Sequence, residues 1–393
     1  MKYRNASSVL PENLIELIQK YVQGEYIYIP IQNKYVTRYP TNYKIEIEKR
    51  DAHIYTKYLE GMSNQQLAKI YHLSESSIRR IIIKERKRCN YMKDNIMKIL
   101  SYWGLQNSEI TQLYDTAWQI GETYVLKVYE NFEMLERNLK ILKILDEMNL
   151  PIGKIVPTCN NQLYVSSDTI FYFLSKKLSG NNITRIGNDG RIIALRMGQI
   201  MADLHIALKK CEGIDVFWNN SLLDEMNGWV KNNLEHNHWN YISKEEFEKI
   251  VTSLELLYKY FPVQLIHRDV HFGNFLFSNG EFSGYIDFDL SQKNIRIFDI
   301  CYFLLGLLSE EEKLEITKEQ WFDFLKNVFI GYESKLKLSE FEKKAVPYVM
   351  ECIELLFIAY FDSINDTCCA KDAYRVFEFI KEQESRIWGS IYL

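Results

Sequence analysis

Residues 265–289 read LIHRDVHFGNFLFSNGEFSGYIDFD, and the polar residues in that stretch set the chemistry open to the chain. His267, Asp269, Asn274 and Asp287 follow one another in the order and spacing of a phosphoryl-transfer site. An apolar strand end leads into a tight loop holding a carboxylate and, five residues on, an amide. Asn279-Gly280 then reads as a hairpin turn, and a second carboxylate closes the set in Ile286-Asp287-Phe288-Asp289. Moving a γ-phosphoryl group asks little covalent help of a protein, but much positioning and charge neutralisation. One carboxylate can orient an acceptor hydroxyl, while Asn274 and Asp287 offer the hard oxygen ligands that suit Mg²⁺. Ordinary turn chemistry accounts for the hairpin; it does not account for two acids at an apolar strand end.

The run H-x-D-x-H-x-G-N from His267 to Asn274, followed by I-D-F-D, resembles the aminoglycoside phosphotransferase and choline kinase family, a branch of the protein-kinase-like fold. The resemblance implies Asp269 as the catalytic carboxylate, Asn274 and Asp287 as magnesium ligands, and His267 as a structural member of the loop. Phe298-Asp299-Ile300 is similar to the family's D-[IL]-A segment, which makes Asp299 a brace for the catalytic loop. Also implied is a bilobal α+β fold, with a small β-rich nucleotide-binding lobe over residues 91–178. A larger helical lobe over residues 179–393 would carry catalysis and acceptor binding. Arg268 echoes the H-R-D of protein kinases, yet no A-P-E signature follows Asp287, so regulation by loop phosphorylation is not expected.

The nucleotide half begins with strand-like ITQLY, a turn from Asp115 to Gly121 and the strand TYVLKVYE. No GxGxxG lies between Ser108 and Gly121. Lys127 sits on an otherwise apolar strand, where a cation needs an anionic partner. The resemblance supplies nucleotide phosphates and a glutamate of the following helix; Glu136 is the first choice, with Glu133 the alternative. Residues 170–180 read as a strand, a crossover and a glycine. By the same resemblance, Leu174, Ser175 and Lys176 would offer backbone groups to the base.

On the acceptor side, the pocket is expected from residues 215–250 and the C-terminal helices. There Trp218, Trp229 and Trp239 accompany Asp224, Glu225 and Glu235, either as a cradle for a cationic or sugar-like acceptor or as plain helix packing. His236-x-His238 alone is a weak metal signal. Asp289 is open between assisting the metal and capping a turn, and His205 reads as a packed helix residue.

Composition bounds the rest. A chain of 393 residues suggests two or three units, and 47% hydrophobic with 25% charged residues is globular. Residues 50–93 carry ten Lys or Arg against four Asp or Glu, a local +6 within a net −4. That asymmetry points to a basic, nucleic-acid-facing segment beside an acidic body. Seven cysteines without a C-x-x-C pair fit a reduced, cytoplasmic setting. No stretch reads as a signal or a membrane span; Tyr348 to Phe361 is interrupted by Glu351 and Glu354.

Residues 51–88 form helical runs broken at Gly61 and capped by Ser63 and Ser74. Leu67, Ala68, Tyr71, Leu73, Ile78 and Ile81 fall where a helix-turn-helix packs. Ser76, Ser77, Arg79, Arg80 and Lys84 would then face a major groove. His72 departs from the pattern, which usually has Gly in the turn. The whole 1–90 segment resembles a small family of DNA-binding-like proteins related to the Mor transcription activator. Helix-turn-helix proteins often dimerise, which leaves a homodimer open.

Two functions follow as expectations. The first is transfer of the γ-phosphate of ATP or GTP, with Mg²⁺, to a hydroxyl of a small molecule. The second is a DNA-binding regulator, through residues 50–93, whose kinase-like body senses a nucleotide or metabolite. A protein kinase is a further alternative.

Overall fold

The computed structural model describes residues 53–58, 61–71, 75, 78–82, 95–114, 116–167, 169–211, 217, 220–364 and 366–392. The chain divides after Arg88 into two units. In the first, residues 53–58 and 78–82 are helical and flank helix α1 (Asn64–Ile70). Ser63 and Gln66 cap α1 reciprocally, each side chain meeting the other's backbone N–H. Ile54, Leu67, Ile78, Ile81 and Ile82 bury together, with Ala68 and Tyr71 packed against them. Leu73 and His72 lie outside the described residues.

The second unit has two lobes. In the small one, β1 (Ile110–Tyr114), β2 (Ala117–Ile120), β3 (Tyr124–Tyr129), β4 (Ile155–Val156), β5 (Val165–Ser167) and β6 (Ile170–Lys176) form one antiparallel sheet. Its order is β1-β2-β3-β6-β4, with β5 sharing the same edge of β6. The expected turn from Asp115 to Gly121 is corrected: Ala117-Trp118-Gln119-Ile120 is strand β2, and Trp118 and Ile120 are buried. One face of the sheet packs Trp118, Leu126, Val128 and Leu174 on helix 95–100. Strand alternation turns Val125, Lys127 and Tyr129 to the opposite face.

Helix α2 (Phe132–Glu147) follows β3, its start capped by Asn131. The large lobe is built on α3 (Gly190–Leu208), α4 (Lys244–Tyr258), α5 (Ile297–Ser309), α6 (Lys318–Glu333), α7 (Glu340–Ser363) and α8 (Thr367–Glu382). Helices α3 and α6 cross at glycines: a Cβ on Gly198 would stand 2.1 Å from the Val328 carbonyl oxygen, and one on Gly331 2.0 Å from that of Leu195. Two short ribbons carry the loops between them, β7 (Val263–Ile266) with β10 (Gln292–Ile295) and β8 (Phe275–Ser278) with β9 (Glu281–Tyr285). Asn279 and Gly280 both take positive φ, the hairpin turn expected of that pair. Among the described residues no helix is long and apolar enough to cross a membrane.

Candidate active site

The loop between β7 and β8 is tied down before any ligand enters. The Asp299 carboxylate, at the start of α5 and fully buried, accepts the His267 and Arg268 amides at 2.9 Å each. It also meets His205 Nε2 at 3.0 Å, and His205 Nδ1 meets the Tyr332 hydroxyl at 2.7 Å. The packed helix histidine thus links α3 and α6 to the loop. Arg268 adopts φ +73°, donates to Glu225 at 2.7 Å and stacks on Phe298 at 4.0 Å. That fixes an otherwise strained backbone. From the other side, the Asn182 amide donates to the carbonyls of Phe272, Gly273 and Phe275.

Asp269 is the centre of this loop. The Asn274 side-chain amide donates to its carbonyl at 2.8 Å and to Oδ2 at 3.1 Å, while the Tyr302 hydroxyl donates to Oδ1 at 3.0 Å. His271 Nε2 stands 3.5 Å from Oδ2, and Gly273 N–H points at His271 Nδ1 at 3.0 Å. That amide needs an acceptor, so the proton of the neutral ring belongs on Nε2, toward Asp269. Burial alone would raise the Asp269 carboxyl. The hydrogen bonds from His271 and Tyr302 outweigh it and hold the group below its ordinary value. Asp269 therefore stays ionised at neutral pH. His267 is wholly buried, with Nε2 bonded to the Ile286 carbonyl at 3.1 Å and Nδ1 unpaired; burial holds its ring below the ordinary histidine value.

The nucleotide half differs from expectation in two places. Lys127 Nζ meets Asp287 Oδ1 at 3.0 Å and Asp289 Oδ2 at 3.1 Å, not a glutamate of α2. Glu136 pairs instead with Lys140, one turn along the outer face of its own helix. Asp289 is neither a turn cap nor free. Tyr129 donates to its Oδ1 at 2.6 Å, and the Asn138 amide of α2 reaches the same oxygen. Burial would lower Lys127, but the two carboxylates prevail and raise it. Asp287, in a left-handed conformation at φ +63°, is held below its usual value chiefly because Lys127 outweighs burial. The second difference is the crossover. Leu174 is fully buried in the small-lobe core and Ser175 is paired to both β3 and β4. The Lys176 and Lys177 amides donate to Lys154 and Thr123 carbonyls. Ser175 and Lys176 line the cleft, as do Leu178 and Gly180.

Two cavities meet at this loop. One, of ≈ 540 Å³, runs between the lobes past Ala117, Lys127, Phe173, Asn274 and Asp287 to Asp269. The other, of ≈ 360 Å³, opens on the far side of His271 and Tyr302, between α5, α7 and α8. Neither Trp229 nor Trp239 lines either cavity; both pack on the large-lobe core, and Trp218 lies outside the described residues. Among the described residues no cluster of His, Cys, Asp and Glu forms a metal cage. Asn274 and Asp287 do fit a hard cation: the Asn274 NH₂ is spent on Asp269, which leaves its Oδ1, with the Asp287 carboxylate lining the same cleft, as oxygen donors. Bound phosphates and water would have to complete that shell.

Residues 109–339 match the model of the phosphotransferase enzyme family, more than half of the chain. The chain belongs to that family. Among solved structures, the phosphotransferase unit is similar to amicoumacin kinase hAmiN, solved with AMP-PNP, Ca²⁺ and Ami. The TM-score is 0.59 at 18% identity, covering 77% of this chain and 96% of that one. The likeness carries the bilobal kinase-like fold. A homoserine kinase of Gluconobacter oxydans (strain 621H) is 29% identical over 181 residues, or 44% of this chain. The chain spans only 54% of that kinase's length. At the other end, residues 4–95 match the Mor transcription activator family. The uncharacterized protein YraL of Bacillus subtilis (strain 168) is 38% identical over 84 residues, 21% of this chain and 97% of YraL.

Sequence reasoning missed Asn138, Asn182 and Tyr302. Asn138 had a signal, since it interrupts the apolar stripe Leu135, Leu139, Leu142 and Leu145 that α2 buries. A polar residue within such a stripe faces the interior and needs a partner there. Asn182 reaches the loop from a distant segment with no motif around it, whereas Tyr302 lies three residues beyond Asp299 on α5, and its contact with Asp269 is set by the packing of that helix.

Proposed function

We propose that this phosphotransferase moves the γ-phosphoryl group of ATP or GTP to a hydroxyl of a small molecule, with Asp269 as the catalytic carboxylate. One observation carries the reading. Asp269 lines the inter-lobe cleft, ionised and fixed in direction by Asn274 and Tyr302, and His271 beside it lines both the cleft and the second cavity. An acceptor entering beside Tyr302 would present its hydroxyl to Asp269, which takes the proton as the oxygen bonds to the γ-phosphorus and the nucleoside diphosphate leaves. Lys127 would hold the phosphates, and Asn274 and Asp287 would hold Mg²⁺. Bound there, the ion would neutralise charge on the phosphate oxygens.

The test is transfer measured across sugars, amino alcohols, aminoglycosides and peptides. Asp269→Asn should keep nucleotide binding and lose about 10²–10³-fold or more in kcat. Asp287→Ala should lose divalent-dependent nucleotide binding. Wild-type turnover in Asp269→Asn would refute the assignment.

A second reading concerns the N-terminal unit. Arg79 and Arg80 are exposed while their neighbours Ile78, Ile81 and Ile82 are buried, so one side of that turn presents cations. Ser76, Ser77 and Lys84 lie outside the described residues. With the Mor-family match, this supports DNA binding, with the kinase-like unit as catalyst or as nucleotide sensor. A mobility shift of the full chain over a salt series tests it. Phosphate contacts give a steep salt dependence, and the double change Arg79→Ala, Arg80→Ala should flatten the slope by about 2. Retardation unaffected by salt would refute it.

A further inference from the structure

Three side chains reach the Asp269 carboxylate, and they divide unequally between its two oxygens. Oδ2 takes the Asn274 amide at 3.1 Å and faces His271 Nε2 at 3.5 Å. A carboxylate oxygen accepts about two hydrogen bonds, so Oδ2 is filled and an incoming hydroxyl is left with Oδ1. The Tyr302 hydroxyl already donates to Oδ1, at 3.0 Å. Its ring is held from two sides, by Phe298 one turn back on α5 at 5.9 Å between centroids and by Phe357 of α7 at 6.0 Å. Burial and the Asp269 charge push the phenol up, so it keeps its proton and remains a donor at neutral pH.

The phenol also stands at the partition between the two cavities. The inter-lobe cleft is lined by Asp269 and not by Tyr302, the second cavity by Tyr302 and not by Asp269, and His271 lines both. A molecule in the second cavity therefore meets Tyr302 and His271 before it meets Oδ1. An ionised Asp269 open to the cleft has no means of telling water from an alcohol, since each offers an O–H. A donor on Oδ1 changes that. It stabilises the ionised carboxylate and so weakens it as a base for as long as the bond lasts. Water makes no further contacts with which to displace the phenol, whereas an alcohol seated by the rest of its structure does.

We propose that Tyr302 is a positioning residue that guards Asp269 against water. In the free enzyme its hydroxyl occupies Oδ1 and damps the base. A seated acceptor takes over Oδ1 with its own hydroxyl, and the phenol leaves with its proton. Asp269 then takes the acceptor's proton on Oδ1 as the new O–P bond forms and the bond to the nucleoside diphosphate breaks. With water in place of the acceptor the exchange at Oδ1 is unfavourable, and hydrolysis of the nucleotide is held down. This rests on the reading of Asp269 as the catalytic carboxylate.

The test uses the full chain with water as the only acceptor, following phosphate release from MgATP and MgGTP. Tyr302→Phe keeps the ring between Phe298 and Phe357 and removes the oxygen. It should hydrolyse nucleotide about 10- to 100-fold faster than the wild type, the range of a hydrogen bond to a charged group, with the nucleotide KM unchanged. A tyrosine with a purely structural role gives the opposite sign, because loosening Asp269 slows hydrolysis. Adding Asp269→Asn to Tyr302→Phe should return the rate to the wild-type level or below. Hydrolysis by Tyr302→Phe no faster than by the wild type would overturn the proposal. A second measurement needs no variant: after incubation of the wild type with MgATP, peptide mapping should find Tyr302 unmodified. A phosphate on that oxygen would make the phenol an acceptor and sink the guard. Failure of the phosphotransfer reading looks different: the fast hydrolysis of Tyr302→Phe would persist in the double variant, whereas loss of the guard alone leaves transfer by the wild type dependent on Asp269.

Discussion

Three donors converge on Asp289: the Lys127 ammonium, the Tyr129 hydroxyl and the Asn138 amide. It acts as an anchor that sets where Lys127 points, and the helix contributes an amide where a glutamate was expected. Asp289→Asn should therefore cost about 1.5–3 kcal/mol in kcat/KM for nucleotide. Steady-state kinetics at varied nucleotide would read this mostly as KM, since the carboxylate positions the lysine and leaves Asp269 untouched. Asn138→Ala should act in the same direction and more weakly. The local part of the site was legible because Asp269, Asn274 and Asp287 are spaced by one loop and one hairpin. Glu136 was misassigned because the face of α2 that meets the cleft is set by tertiary packing, which turns position 138 inward and 136 outward.

At the scale of elements, the crossing of α3 and α6 places backbone against backbone. Gly198→Ala would drive a methyl into the Val328 carbonyl, with no flexible side chain to yield. A loss of about 3 kcal/mol or more is expected, measured by denaturant unfolding, and Gly331→Ala should match it. This contact was invisible in the sequence, where both glycines sit in ordinary helical runs. The Asn279-Gly280 hairpin was legible, since turn chemistry is a local signal. Strand β2 was lost between two turn-like stretches: its four residues are too short for alternation to declare itself.

For the whole molecule, helix α7 makes stability depend on pH against the usual trend. Glu351 is 2% exposed, and burial, with the nearby Glu384 charge, raises its carboxyl from 4.5 to about 8. Between those values the folded chain holds a proton that the unfolded chain gives up, so stability falls as pH rises through that window. Glu351→Gln should remove this slope and stabilise the protein at pH 8 by a few kcal/mol, with little change at pH 4.5. Thermal unfolding at both values checks it. Asp269 and Asp287 work in the opposite sense: their lowered values add stability that disappears only as pH drops below the ordinary carboxylate range. The glycine crossing has one more consequence, for heat. His205 on α3 and Tyr332 on α6 join hands across that crossing and hold Asp299, which holds the loop of Asp269. A loop fastened to that buried helix pair has no melting point of its own. Warming should leave the enzyme fully active until the large lobe gives way, so that the inactivation curve and the near-ultraviolet dichroism fall together.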